Sequence, residues 1–127
     1  MKDISIPADL LYTNDHEWVK MDGNVATVGI TDYAQSQLGD IVFVDIQTEG
    51  EDLELGDVFG AIEAVKTVAD AIMPLSGTVM EVNPELEVEP QCVNSDPYGE
   101  GWMIKIECSN PSEIDQLLSA DSYRQLL

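Results

Sequence analysis

The sequence predicts a small, mostly β fold of short strands with one short helix and a helical C-terminus, and three observations carry this. Pro74, Gly77, Pro84, Pro90, Pro97 and Gly99 punctuate the second half so densely that no long helix fits between residues 74 and 101. Ile41-Val42-Phe43-Val44-Asp45-Ile46 is a β-branched run too short for a typical helix, and Asp22-Gly23-Asn24 is a turn cluster between two apolar stretches. The chain has 127 residues, 44% of them hydrophobic. That length is close to the ~150-residue domain prior and lets a chain bury roughly two-thirds of its unfolded surface. One domain over 1–127 is therefore expected, with a core about 12–108 and a C-terminal helical extension over 110–127.

In chain order, His16 to Lys20 and Val25 to Ile30 flank the Asp22-Gly23-Asn24 turn and read as a hairpin, with Gly23 supplying positive φ. Asp32 as a cap, Gln35 three residues later and Gly39 as a stop predict a helix over 32–38. Ile41 to Ile46 reads as a buried strand ended by Glu49-Gly50-Glu51-Asp52. Short strands and turns fill 74–106, most clearly Thr78 to Val82 and Trp102 to Ile106. Asn110 as cap, Pro111 in the first turn and Glu113 as reciprocal acceptor predict a C-terminal helix from about 111. Asp121 is placed to cap one more turn carrying Tyr123, Leu126 and Leu127, which packs the tail onto the body.

Residues 60–73 stay open at this level. Apolar positions 62, 65, 68, 69, 72 and 73 recur at helical spacing, whereas Val58, Ile62, Val65, Thr67, Val68 and Ile72 suit two strands meeting near Lys66. No Asn-Gly or Asp-Gly pair marks a turn there to decide between them.

Charge and motif content exclude several classes. Five Lys and Arg against 25 Asp and Glu give a net charge of −20, a field that repels phosphate backbones and anionic lipid surfaces. Apolar runs such as Ile41 to Val44 fall far short of the ~20 residues that span a bilayer. The start, Met1 to Pro7, shows neither a secretory nor a transit pattern, so a cytoplasmic location is expected. Cys92 and Cys108 stand 16 positions apart without Cys-x-x-Cys spacing and read as reduced, partly buried thiols, with no metal site expected. His16 has no nucleophile pattern beside it, so no catalytic residues are assigned. Trp18, Phe43, Tyr98 and Trp102 read as core or rim packing.

One constellation is more specific. Glu63-Ala64-Val65-Lys66, with Gly77 eleven positions after the lysine, resembles the attachment motif of lipoylated domains. Together with Asp15-His16-Glu17-Trp18, Val28-Gly29-Ile30-Thr31, Gly39 to Val44, Ser76-Gly77, Val93-Asn94, Pro97-Tyr98 and Gly101-Trp102, it makes the chain similar to the glycine cleavage H-protein family from about Tyr12 to Leu127. The resemblance implies a barrel-sandwich hybrid of two antiparallel sheets, lipoyl-domain-like, with Lys66 at the tip of a tight hairpin held stiff by Val65 and Thr67. It implies lipoic acid in amide linkage to Lys66, and Glu63, Val65 and Gly77 as recognition elements for a lipoylating enzyme. Gly77 is expected to adopt positive φ in a Ser76-Gly77 turn opposite the hairpin.

The implied function is that of a carrier, not an enzyme. The arm takes an aminomethyl group from a pyridoxal-phosphate glycine decarboxylase and passes the methylene to tetrahydrofolate on an aminomethyltransferase. A flavin dihydrolipoyl dehydrogenase then reoxidises the dithiol. Asp15, Glu17 and Asp70 match the family positions against which the loaded arm folds, Glu17 as the chief acceptor for its ammonium. Partners that bind in turn need transient interfaces, on the order of 1,200 Å² or less. Two other readings are an H-like relay that hands lipoyl groups to other complexes, and an acidic interaction module with Lys66 unmodified. A biotin carrier fits less well, because Val65 and Thr67 stand where that family usually has methionine.

Overall fold

The computed structural model describes residues 4–127, so that part of the N-terminal reading which rests on residues 1–3 lies outside the described residues. Among the described residues, nine short strands form two antiparallel sheets. The larger contains β1 (Leu11–Tyr12), β2 (Glu17–Asp22), β3 (Val25–Ile30), β9 (Ile104–Cys108), β8 (Gly77–Val82) and β5 (Asp52–Leu53), in that spatial order. The smaller contains β4 (Ile41–Asp45), β6 (Val58–Ala64) and β7 (Val68–Ile72). Val19, Val28, Phe59, Ile62, Met73, Leu75, Val79, Met103, Ile104 and Ile106 form the core. Each such side chain withdrawn from water contributes roughly 1.5–3 kcal/mol. A second apolar cluster of Leu10, Tyr12, Trp18, Ala120 and Tyr123 seals the tail onto β1. No helix among the described residues is long and apolar enough to cross a membrane.

The β2–β3 hairpin forms as expected, with Gly23 at φ +62°. Helix α1 spans Asp32–Leu38, but its cap is Thr31, whose Oγ1 accepts the Ala34 N–H, while Asp32 accepts from the Gln35 side chain at 2.7 Å. Strand β4 departs from the fully buried strand expected at 41–46. Ile41 and Val44 are buried, but a bulge between Ile41 and Phe43 leaves Val42 and Phe43 about half exposed.

Residues 60–73 form two strands. Val44, Ile62 and Ala69 share the inner face, and Phe43, Glu63 and Val68 the outer one. The apparent helical stripe is therefore false, since Val65 and Val68 of that stripe are exposed while Ile62 and Met73 are buried. The stretch 74–101 holds no long helix, as expected, but it contains two four-residue helices the sequence reading did not anticipate, α2 (Glu85–Val88) and α3 (Cys92–Ser95). Both cysteines are free and buried.

The C-terminus corrects the expected helix from 111. Pro111–Gln116 is a 3₁₀ helix, and the chain then extends so that Leu118 and Tyr12 exchange backbone hydrogen bonds of 2.7 and 2.8 Å. That pairing draws the chain out of helical geometry, and Glu113 does not cap reciprocally because its carboxylate accepts from Ser76 N at 2.7 Å and Ser76 Oγ at 2.8 Å. Helix α4 (Ala120–Arg124) starts at Ser119, not Asp121, with Ser119 Oγ accepting the Ser122 N–H.

Candidate functional site

Lys66 sits at the outer end of the β6–β7 hairpin, exposed. The turn is closed by the Ala64 N–H donating to the Thr67 carbonyl at 2.8 Å, and the Val65 N–H donates to the Asp40 carbonyl at 3.0 Å. These bonds hold the tip, in place of the Val65 and Thr67 side chains expected to stiffen it: both are exposed, Val65 to 68%. Asp40 is positioned in turn by Asn94. Its Oδ1 accepts the Ile41 N–H, and its Nδ2 donates to the Gly39 carbonyl and to Gln35 Oε1, each at 2.9 Å. The ion pairs among the described residues are Lys105 with Glu81 and Arg124 with Asp121. Lys66 Nζ is in neither.

The expected site residues divide into three places. Glu63, Val65 and Lys66 lie together at the hairpin, all exposed. Gly77 lies apart from the tip in the larger sheet, paired with Leu53 and Cys108, and its φ is not positive. Its need for glycine comes instead from packing, because a Cβ there would run into the Glu107 carbonyl and the Ile106 side chain.

Glu17 is buried on β2, 3% exposed, with Oε2 accepting the Ile72 N–H at 2.8 Å and Oε1 accepting from Thr13 Oγ1 at 3.4 Å. Burial pushes its carboxyl up to about 8, against the lowering effect of those two donors. Asp70 is exposed, two residues before Ile72 on β7. Asp15 is exposed at the mouth of a cavity of about 190 Å³ between Asn14, Leu55, Pro74, Glu113 and Leu117. Loss of solvent lowers the pKa of His16, whose Nδ1 lies 2.8 Å from the Tyr123 hydroxyl.

The architecture has close counterparts. The model of the glycine cleavage H-protein family matches residues 10–127. The chain belongs to this family. It is 56% identical to the glycine cleavage system H protein of Bacteroides fragilis, over 98% of each chain. Against that of Carboxydothermus hydrogenoformans it is 52% identical, over 96% of this chain and 94% of the relative. The crystal structure of the H protein from Mycobacterium marinum superposes with a TM-score of 0.87 at 38% identity, covering 95% of this chain and 98% of that one. The H-protein family thus accounts for the mostly β fold of two antiparallel sheets.

Within that family frame, Asn94 positions the lysine tip without having been assigned a role from sequence, while Ser76 and Glu113 fasten the C-terminal segment to the body. Asn94 had a signal, since Val93-Asn94 is one of the segments that carry the resemblance. Glu113 had a misleading one, its capping spacing. The Ser76 hydroxyl also accepts the Leu55 N–H at 2.8 Å, so one serine, just before β8, fastens the turn after β5 to the C-terminal 3₁₀ helix. Among the described residues, no group of three or more His, Cys, Asp or Glu side chains is placed to hold a metal ion.

Proposed function

We propose that the protein is the lipoyl carrier of a glycine cleavage system, with lipoic acid in amide linkage to Lys66. The single observation that carries this reading is an exposed lysine, in no ion pair among the described residues, on a tightly hydrogen-bonded hairpin in a chain of this family. A carrier lysine has to reach several enzymes in turn, so it needs a rigid, protruding mount. When attached, the cofactor supplies a dithiolane that takes up and releases the aminomethyl unit.

The chain's own residues do the rest. The Ala64–Thr67 and Val65–Asp40 hydrogen bonds fix the direction in which Lys66 leaves the surface. Glu63 and Val65, exposed beside it, are the groups a lipoylating enzyme meets first, while Gly77 supports the reading through the packing of β8 and not through a contact at the tip. Glu17 is the residue to receive the cationic amine of the loaded arm, with exposed Asp15 two residues before it and exposed Asp70 two residues before its partner Ile72. An ammonium approaching Glu17 favours its charged form and so counteracts the effect of burial. Glycine decarboxylase, aminomethyltransferase and dihydrolipoyl dehydrogenase then act on the arm through transient complexes, and tethering gives each a high local concentration of its substrate.

Intact mass of the protein from a lipoate-supplied host, with peptide mapping and a Lys66→Arg control, tests this. One lipoyl group on Lys66, absent from the control, is the expected result. An unmodified Lys66 in a host that lipoylates other domains overturns it.

A further inference from the structure

The outer face of the three-stranded sheet is an unusual surface for so acidic a chain. Register places Phe43, Glu63 and Val68 in one row across the three strands, and Asp45, Ala61 and Asp70 in the next row. Phe43 is 47% exposed and Val68 60%. Of the ten large hydrophobic side chains exposed among the described residues, five belong to this sheet and its hairpin: Val42, Phe43, Val58, Val65 and Val68. Phe43 and Val68 flank Glu63 in one row and Val58 lines the groove at the next, and exposed apolar side chains grouped in this way mark an interaction site.

The second row has a distinct shape. Small Ala61 forms the floor between the Asp45 and Asp70 carboxylates, whose strands are two spacings, roughly 10 Å, apart. The same residues line an open groove of about 320 Å³ with Val58 and Gly60. Lys66 is the sole basic residue of this sheet and its hairpin. Lys20 and Lys105 lie on the larger sheet and Arg124 on α4.

Charge selects the occupant. A second copy of the chain would bring its own carboxylates against these and be repelled, and an anionic membrane would be repelled likewise. A protein surface that offers an apolar side chain beside arginine or lysine satisfies both rows. Reach selects which protein. An enzyme that acts on Nζ itself must come within the length of one lysine side chain, whereas partners of the completed arm can be met farther out.

We propose that the Phe43–Glu63–Val68 and Asp45–Ala61–Asp70 rows form the docking surface for the enzyme that acylates Lys66, received by a basic surface with an apolar contact at its centre. This rests on the carrier reading above. In the docked complex Lys66 Nζ, deprotonated, attacks the carbonyl of an activated lipoyl donor. The amide C–N bond forms, the activating group leaves with its electron pair, and the proton passes to a base of the enzyme.

The test is kcat/KM for lipoylation of the full-length apo protein by a purified lipoylating enzyme, with the extent at exhaustion read by intact mass. Phe43→Ser and the pair Asp45→Asn/Asp70→Asn are each expected to lower kcat/KM about tenfold while the final extent stays complete. Asp22→Asn/Glu89→Gln removes the same two charges from exposed sites elsewhere and is expected to change it less than about twofold. Thermal unfolding of each variant separates loss of docking from loss of fold. Equal effects of the two charge pairs, wild-type rates for Phe43→Ser, or a concentration-dependent dimer that Phe43→Ser abolishes would each overturn the proposal. A wild-type protein left unmodified at exhaustion overturns the carrier reading itself, and the docking surface with it.

Discussion

The Glu17 carboxylate accepts the Ile72 N–H at 2.8 Å, and this bond ties β2 of the larger sheet to the outer margin of β7, the edge strand that leads away from Lys66. An edge strand presents unpaired backbone donors, and here one of them is satisfied by a side chain that is itself buried. The cost falls on the charged form of the carboxyl, whose pKa rises from 4.5 to about 8 by desolvation.

A raised acid pKa has a definite sign in the stability. The folded protein holds the proton more tightly than the unfolded chain, so this contribution is fully present below about pH 4.5 and is lost as pH rises to about 8. Glu17→Gln keeps an acceptor for Ile72 and removes the titration. Urea unfolding at pH 5, 7 and 9 should show the wild type losing stability relative to the variant, by on the order of 1–3 kcal/mol across the window. Parallel pH profiles for the two proteins would show that Glu17 does not titrate in this range.

The same substitution separates packing from chemistry. If Glu17 holds the ammonium of the loaded arm, Glu17→Gln leaves lipoylation intact but speeds spontaneous loss of the aminomethyl group about tenfold, the worth of one charge-assisted hydrogen bond. The readout is release of formaldehyde and ammonia from loaded protein in the absence of other enzymes. Identical decay rates would remove Glu17 from that role.

Much of the architecture was legible in local chemistry, and the failures have physical causes. The β2–β3 turn and helix α1 were readable because Gly23 and Gly39 each terminate an element for a conformational reason, with φ of +62° and +80°. The lysine hairpin was not readable from periodicity, because residues on opposite faces of two strands happened to mimic a helical stripe across a turn with no glycine. The C-terminal helix was misread since Glu113 is used by Ser76, a partner 37 positions away, and because Leu118 pairs with Tyr12 across the chain. Gly77 is constrained by the Glu107 carbonyl and the Ile106 side chain of the neighbouring strand β9, about 30 positions on, which no local pattern encodes.

Gly77→Ala accordingly tests packing and not turn geometry. The added methyl meets the Glu107 carbonyl and the Ile106 side chain, and both belong to β9 at the centre of the larger sheet. Relief requires β8 and β9 to move apart, at an expected cost of about 1–3 kcal/mol, the usual range for an overpacked interior. A thermal melt or urea titration measures it. A variant as stable as the wild type would mean that the two strands yield freely at this point. In that case the glycine would have to be explained by a partner's contact instead.

Asn94 links the lysine tip to the body at a distance. Its side chain satisfies Ile41 N, Gly39 O and Gln35 Oε1, and so fixes the short segment whose Asp40 carbonyl receives the Val65 N–H. Asn94→Ala leaves those groups without their partner, which costs about 1–3 kcal/mol. Asn94→Asp keeps the acceptor for Ile41 but turns a carboxylate oxygen toward the Gly39 carbonyl, so it should restore little. Because Asp40 moves with this segment, the effect should reach the hairpin. Amide hydrogen exchange is expected to quicken at Val65 as well as at Ile41 in both variants, while the core amides of β3 and β9 quicken only by the global loss of stability. Faster exchange at Ile41 with unchanged protection at Val65 would show that the hairpin keeps its own order and does not borrow it from Asn94.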